Sequence, residues 1–234
     1  MTEARDQDLL FGASDRIELV ATIVMAAAAI LTAWAAFQSA KWSGVQATEF
    51  SQANAARIES TRLDNRAGQL ASIDVDVFLS WLEAVREEID QGPGPIGPDG
   101  SYVPQDDTLS TFFFERMRDE FKPALEAWLQ SDPLSNAEAP ATPFAMEEYR
   151  LDDAASADAR LTEARQHTEA ALGANQNSDN HVLTAVALAL AIFFAGVSSK
   201  LASQRNRWLA ISLGAAIFLG AAFTLALLPK VSPF

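Results

Sequence analysis

From Leu19 to Phe37 the chain runs for nineteen residues without a charge, then passes into QSAKWSGVQ, ending at Gln46, with no proline to stop a helix. A hydrocarbon layer roughly 30 Å thick is crossed by about 20 helical residues rising about 1.5 Å each. The run therefore predicts a membrane-spanning helix over 17–37 that leaves the bilayer and continues into water. Ser14 or Asp15 stands where it would cap the start. Arg16 and Glu18 mark one water boundary, and Trp34 and Trp42 bracket the other, where indole rings prefer to lie. A cleaved leader competes with this reading, since AWAAFQSA offers small residues at cleavage spacing. The acidic segment before it (Glu3, Asp6, Asp8, Asp15) and a run longer than a leader core of roughly 7–15 residues favour the span.

Two further apolar runs, Val182 to Val197 and Trp208 to Leu228, predict a second and a third span. The division expected is a cytoplasmic segment at 1–16, a span at 17–37, an acidic extramembrane domain at 38–180, a span at 181–199, a basic link at 200–207, a span at 208–228 and a tail at 229–234. The fold class is all-α. Lys200, Arg205 and Arg207 crowd the short link and mark it as cytoplasmic, which places the middle domain outside the cytoplasm. A multi-pass protein of the inner membrane is expected.

The chain has no cysteine and a net charge of −14. Residues 38–180 hold 11 Lys or Arg against 26 Asp or Glu, so the whole acidic excess lies there. Such a surface argues against nucleic acid or anionic lipid as its partner. Without cysteine there is neither a disulfide nor a thiolate metal site.

Helical patterning runs on to about Ile89, with Leu63, Leu70 and Val77 repeating every seven residues and Ile73, Leu82, Val85 and Ile89 on the same side. Nearer the bilayer the expected seam is small: Ala28, Thr32, Ala36, Ala40, Gly44 and Thr48. Four prolines and four glycines make 92–107 a loop. Helix returns from Thr108, capped by Asp106 or Asp107, with Phe112, Phe113, Phe114, Met117, Phe121, Leu125, Trp128 and Leu129 as its apolar face and a kink or break at Pro123. A second loop covers 132–146. Glu147 or Asp152 begins the last long helix, which runs into the second span.

Helix 38–90 would be about 80 Å long, and 108–131 with 152–180 about 36 and 43 Å. The lengths fit a coiled-coil-like stalk in which both short helices pack antiparallel on the long one. A break near Asp74 and Asp76, giving a compact bundle, is the alternative. In the third span Ser212, Ala216, Gly220 and Thr224 form a further small-residue stripe.

The most regular constellation is Trp34, Gln38, Trp42 and Gln46, which winds about 40° per step across roughly a third of a helix surface. It reads as an aromatic belt with polar interhelical contacts, or, repeated around an oligomer, as a pore mouth. A polar collar of Asn175, Gln176, Asn177, Ser178, Asp179, Asn180 and His181 stands where the last helix enters the bilayer and is expected to bond to Gln38 and Gln46, or to hold an ion or headgroup. Glu163 with His167 and Asp179 with His181 lack further ligands at metal spacing, and Asp74 and Asp76 point to different sides of a helix. No phosphate loop or nucleophile motif is present, so neither a catalytic residue nor a cofactor is expected.

AWAAFQSAKWSGVQ (33–46), TPFAMEEYRL (142–151), ANQNSDNHVL (174–183) and FFAGVSSKL (193–201) together resemble a family of small bacterial inner-membrane proteins with one span, a helical extracytoplasmic insert and two closing spans. The resemblance implies that topology and carries no activity, because the family's function is unassigned. GPGPIGPDG (92–100) stands outside its pattern. The function expected is a non-enzymatic membrane scaffold that self-associates in the lipid bilayer and offers its acidic domain to other envelope proteins. A homo-oligomeric pore with Gln38 and Gln46 near its mouth is the alternative.

Overall fold

The computed structural model describes residues 2–133 and 135–232, with side chains from Arg16 onward. The helices are α1 (Thr2–Gln91), α2 (Leu109–Arg116), α3 (Lys122–Gln130), α4 (Asp152–Ser198) and α5 (Gln204–Leu227), with a 3-10 turn at Pro143–Ala145. Among the described residues there is no strand. Because α1 begins at Thr2, Ser14 and Asp15 lie inside it and do not cap it. The segment before them has no proline, and Glu3, Ala4, Arg5, Gln7, Leu9 and Leu10 are good helix formers, so the helix extends through it.

The chain forms two compact units, residues 54–164 and residues 1–53 with 165–234. In the first, α1 passes Asp74 and Asp76 without a break. Phe78, Trp81 and Val85 of α1 pack on Met117, Phe121, Ala124, Leu125, Trp128 and Leu129. Rings meet edge-on around Phe78, with centroids 5.4 Å from Trp128 and 5.7 Å from Phe144.

The core uses fewer residues than the heptad suggested. Ile73 is 51% exposed, Ile89 42% and Phe112 46%, because the partners are short helices that cover one side of α1. The break expected at Pro123 is real: Met117 turns extended at φ −63°, ψ 142°, and Pro123 stands in the first turn of α3, where its missing N–H costs no helical bond.

The cap of α2 is Thr108, whose hydroxyl accepts from the Thr111 N–H, and not Asp106 or Asp107. Asp107 has φ +62° and turns the chain into that cap. Glu88 of α1 adds a second anchor, accepting from the Ser110 N–H at 3.0 Å and its hydroxyl at 2.7 Å. The 92–107 loop closes on itself through Val103 N–H to Pro95 O at 2.8 Å and inserts Tyr102 against Trp81. At Gly100, with φ +77°, a Cβ would come within 2.9 Å of Leu129 O, so the turn requires glycine.

In the second unit α4 turns a seam inward at steps of three and four: Ala171, Ala174, Ser178, His181, Thr184, Leu188, Ala191, Ala195 and Ser198. Ala195 clusters with Ala21 of α1 and Ile211 of α5, Leu188 with Ala28 of α1 and Ala221 of α5, and Ile17, Ala35 and Gln38 of α1 and Gly214 and Leu225 of α5 are buried as well. Small side chains at these steps let helices approach closely. The stripe expected to do this in α5 does not: Ser212, Ala216, Gly220 and Thr224 face outward. The close approach is at Gly214, where a Cβ would stand 3.1 Å from Ala191 O. On α1, Ala28 is buried, but Ala36, Ala40, Gly44 and Thr48 also face outward.

Candidate functional site

Gln38 is the polar member of an otherwise apolar stretch of seam and is fully buried. A buried amide must find partners, and this one finds both on one residue. Its Nε2 donates to Val231 O at 3.2 Å, and its Oε1 accepts from Val231 N–H at 2.9 Å. One turn on, Trp42 Nε1 donates to Pro229 O at 3.1 Å. Pro229, Lys230 and Val231, which follow α5, are thus held as an extended segment by two side chains of α1.

Trp34 lies exposed against Phe37, ring centroids 5.7 Å apart, and Gln46 takes no part in holding the segment. The series therefore passes from the outer surface at Trp34 to the interior at Gln38 and partly out again, as a 40° drift per step requires.

The collar is wired along its own helix and not across to Gln38 and Gln46. Asn175 donates to Asp179 and Gln176 to Asn180, both at 3.1 Å, and His181 Nδ1 donates to Asn177 O at 2.8 Å. His181 Nε2 is buried without a partner among the described residues. The residue that crosses is Ser178, whose hydroxyl meets those of Ser39 at 2.9 Å and Ser43 at 3.0 Å and donates to Ser39 O at 3.1 Å. Beyond it, His167 Nδ1 and Glu49 Oε2 are 2.7 Å apart.

At the other end of the same unit Arg207 donates to Ser198 O at 3.3 Å and stands 3.6 Å from Glu18, while Lys200 and Arg205 are exposed. The Glu18 and Gln38 levels are separated by about 30 Å of α1, the thickness of a hydrocarbon core. Between them the outward residues carry no charge and are mostly apolar, among them Leu19, Ile23, Ile30, Leu190, Phe193 and Leu219.

The unit at 54–164 holds a constellation that the spacing did not signal. Asp74, 2% exposed, receives Arg118 Nε at 2.9 Å and Nη2 at 2.7 Å, and the Tyr149 hydroxyl at 3.1 Å. The bond to Asp74 raises the Arg118 guanidinium above its ordinary value. Burial, reinforced by the Asp74 charge, pushes the Tyr149 phenol up to about 12. Asp76 faces solvent, so the two aspartates do lie on different sides. Among the described residues no group of three or more His, Asp or Glu is placed to hold a metal ion.

The site residues missed in the sequence include Val231, Ser39, Ser43, Arg118 and Tyr149. A signal existed for the first: Gln38 falls in an apolar seam and therefore demands a partner.

An all-helical chain with three helices long and apolar enough to cross a membrane is the class these residues define. Comparison with protein-family models, curated proteins and solved structures finds no match.

Proposed function

We propose that the chain is a non-enzymatic scaffold of the bacterial inner membrane that self-associates and presents residues 38–180 outside the cytoplasm as an acidic, coiled-coil-like stalk for other envelope proteins. The observation that carries this reading is the direction of the side chains. Polar groups at the exit are spent inside the chain, Gln38 on Val231 and Ser178 on Ser39 and Ser43. The small residues Ala36, Ala40 and Gly44 of α1 and Ala216 and Gly220 of α5 face outward, where another helix can approach them.

Within residues 54–164, the contacts of Ser60 with Ala157 and Arg66 with Asp153 advance on α1 as they retreat on α4, the order of an antiparallel pair, which supports a stalk in that unit. Lys200 and Arg205, exposed beside the Glu18 level, support the cytoplasmic side for that end. With both amide atoms of Gln38 engaged by Val231, the scaffold is favoured over a pore mouth at this residue.

The test is the mass of the chain in detergent or nanodiscs by native mass spectrometry or light scattering. A dimer or larger assembly is expected, and a strict monomer at all protein concentrations overturns the proposal.

A further inference from the structure

Lys41 stands on α1 one turn past Gln38, where the apolar stretch of about 30 Å ends. It is half-buried, and among the described residues it has neither an ion pair nor a hydrogen bond. It shares an open groove of about 510 Å³ with Ala40, Gly44, Val45, Thr48, Glu49 and Val231. Glu49 lies about 12 Å further along the helix and leans back toward Lys41, as the Cα–Cβ bonds of a helix tilt toward its N-terminus. Its Oε2 stands 2.7 Å from His167 Nδ1, and its Oε1 has no partner among the described residues. In the other direction, steps of four, three and four from Lys41 lead to Phe37, Trp34 and Ile30, which share its side of α1 and are exposed.

One side of α1 therefore carries, in order, an apolar track, a cation and a carboxylate. We propose that it binds a phospholipid whose zwitterionic headgroup ends in a primary amine, a phosphatidylethanolamine. Such a lipid presents the complementary order of acyl chain, phosphodiester and ammonium. An acyl chain lies along Ile30, Trp34 and Phe37, the phosphodiester accepts from Lys41 Nζ, and the ammonium donates to Glu49 Oε1. Charge selects the headgroup. A phosphatidylglycerol brings no cation to Glu49 and adds its own negative charge beside an acidic domain. The trimethylated amine of a phosphatidylcholine has no N–H to donate. The inference rests on the membrane placement proposed above and is independent of self-association.

The full-length chain is purified in detergent and titrated with phosphatidylethanolamine, phosphatidylcholine or phosphatidylglycerol of one acyl composition, and bound lipid is counted by native mass spectrometry. Phosphatidylethanolamine is expected to bind about ten-fold more tightly than either of the others, the equivalent of one charge-assisted hydrogen bond. Lys41→Gln is expected to weaken all three lipids by about the same factor. Glu49→Ala should remove the preference among headgroups, whereas His167→Gln, which keeps the carboxylate of Glu49, should retain it.

Equal affinity of the unaltered chain for the three lipids overturns the site without reference to any variant, as does unchanged binding of phosphatidylethanolamine by Lys41→Gln. Glycerophosphoethanolamine, the headgroup without acyl chains, overturns it if it binds as tightly as the lipid, because the ligand is then a soluble phosphodiester. If the chain needs detergent to leave the membrane fraction and one of these results follows, only the site fails. If the chain is recovered from the soluble fraction without detergent, the membrane placement fails with it.

Discussion

The side-chain amide of Gln38 closes on both backbone groups of Val231, a pairing across 193 positions of sequence that ties the end of α5 to α1. Each such bond contributes about 0.5–1.5 kcal/mol net. Gln38→Leu is therefore expected to lower stability in detergent by about 1–3 kcal/mol, and Gln46→Leu, which breaks no such contact, to stay within about 0.5 kcal/mol. Unfolding of both variants, with amide exchange at Val231 as the local probe, checks this.

Asp74 is buried and depends on Arg118. Arg118→Ala leaves a carboxylate without its cation and is expected to cost about 3–5 kcal/mol. Replacing both, as Asp74→Leu with Arg118→Met, should recover most of the loss, since a well-packed apolar pair does not carry the desolvation penalty. Denaturant unfolding of the single and double variants decides; a double variant as unstable as Arg118→Ala refutes the account.

The Tyr149 phenol, held up to about 12 by burial and by Asp74, gives stability a dependence on alkaline pH. An unfolded tyrosine ionises near 10. The folded state holds the proton more tightly, so the contribution is complete below about pH 10 and is lost as pH rises through about 12. Tyr149→Phe should flatten the fall in stability over that window, and the phenolate absorbance titration should lose its upper step.

Two glycines of α5 should respond differently to the same change. At Gly214 a Cβ would meet Ala191 O at 3.1 Å and Phe194 Cβ at 3.2 Å, whereas at Gly220 nothing lies within 4 Å. Gly214→Ala forces α5 away from α4 and is expected to cost about 1–3 kcal/mol, as overpacking does. Gly220→Ala should be neutral in the unassociated chain. Thermal unfolding of the two variants makes the comparison.

Much of this architecture is legible residue by residue. An uncharged run of about 20 residues is a local requirement of a bilayer, so Leu19 to Phe37 and its two later counterparts announce themselves. The four prolines and four glycines of 92–107 exclude helix locally, and Pro123 marks a helix break for the same kind of reason.

Facing is different. Helix α5 carries small residues on several sides, so its composition suits burial of the Ser212 stripe as well as burial of the Gly214 face. The choice went to the side where Gly214 lets two backbones meet. The polar collar was visible as a cluster, but Asn175 pairs with Asp179 and Gln176 with Asn180 along α4, and only Ser178 and His181 fall on the seam, of which Ser178 bonds across to α1.

What the sequence by itself determined is therefore the set of helices, their breaks and the apolar lengths that can cross a membrane, because each depends on neighbours within a few turns. Only the tertiary structure decided that Gln38 holds Val231, that Asp74 holds Arg118 and Tyr149, and which small-residue faces are left outward. Those outcomes depend on which distant groups arrive at the same level of a helix pair, and a buried polar side chain states only that it needs a partner, not where along the chain that partner lies.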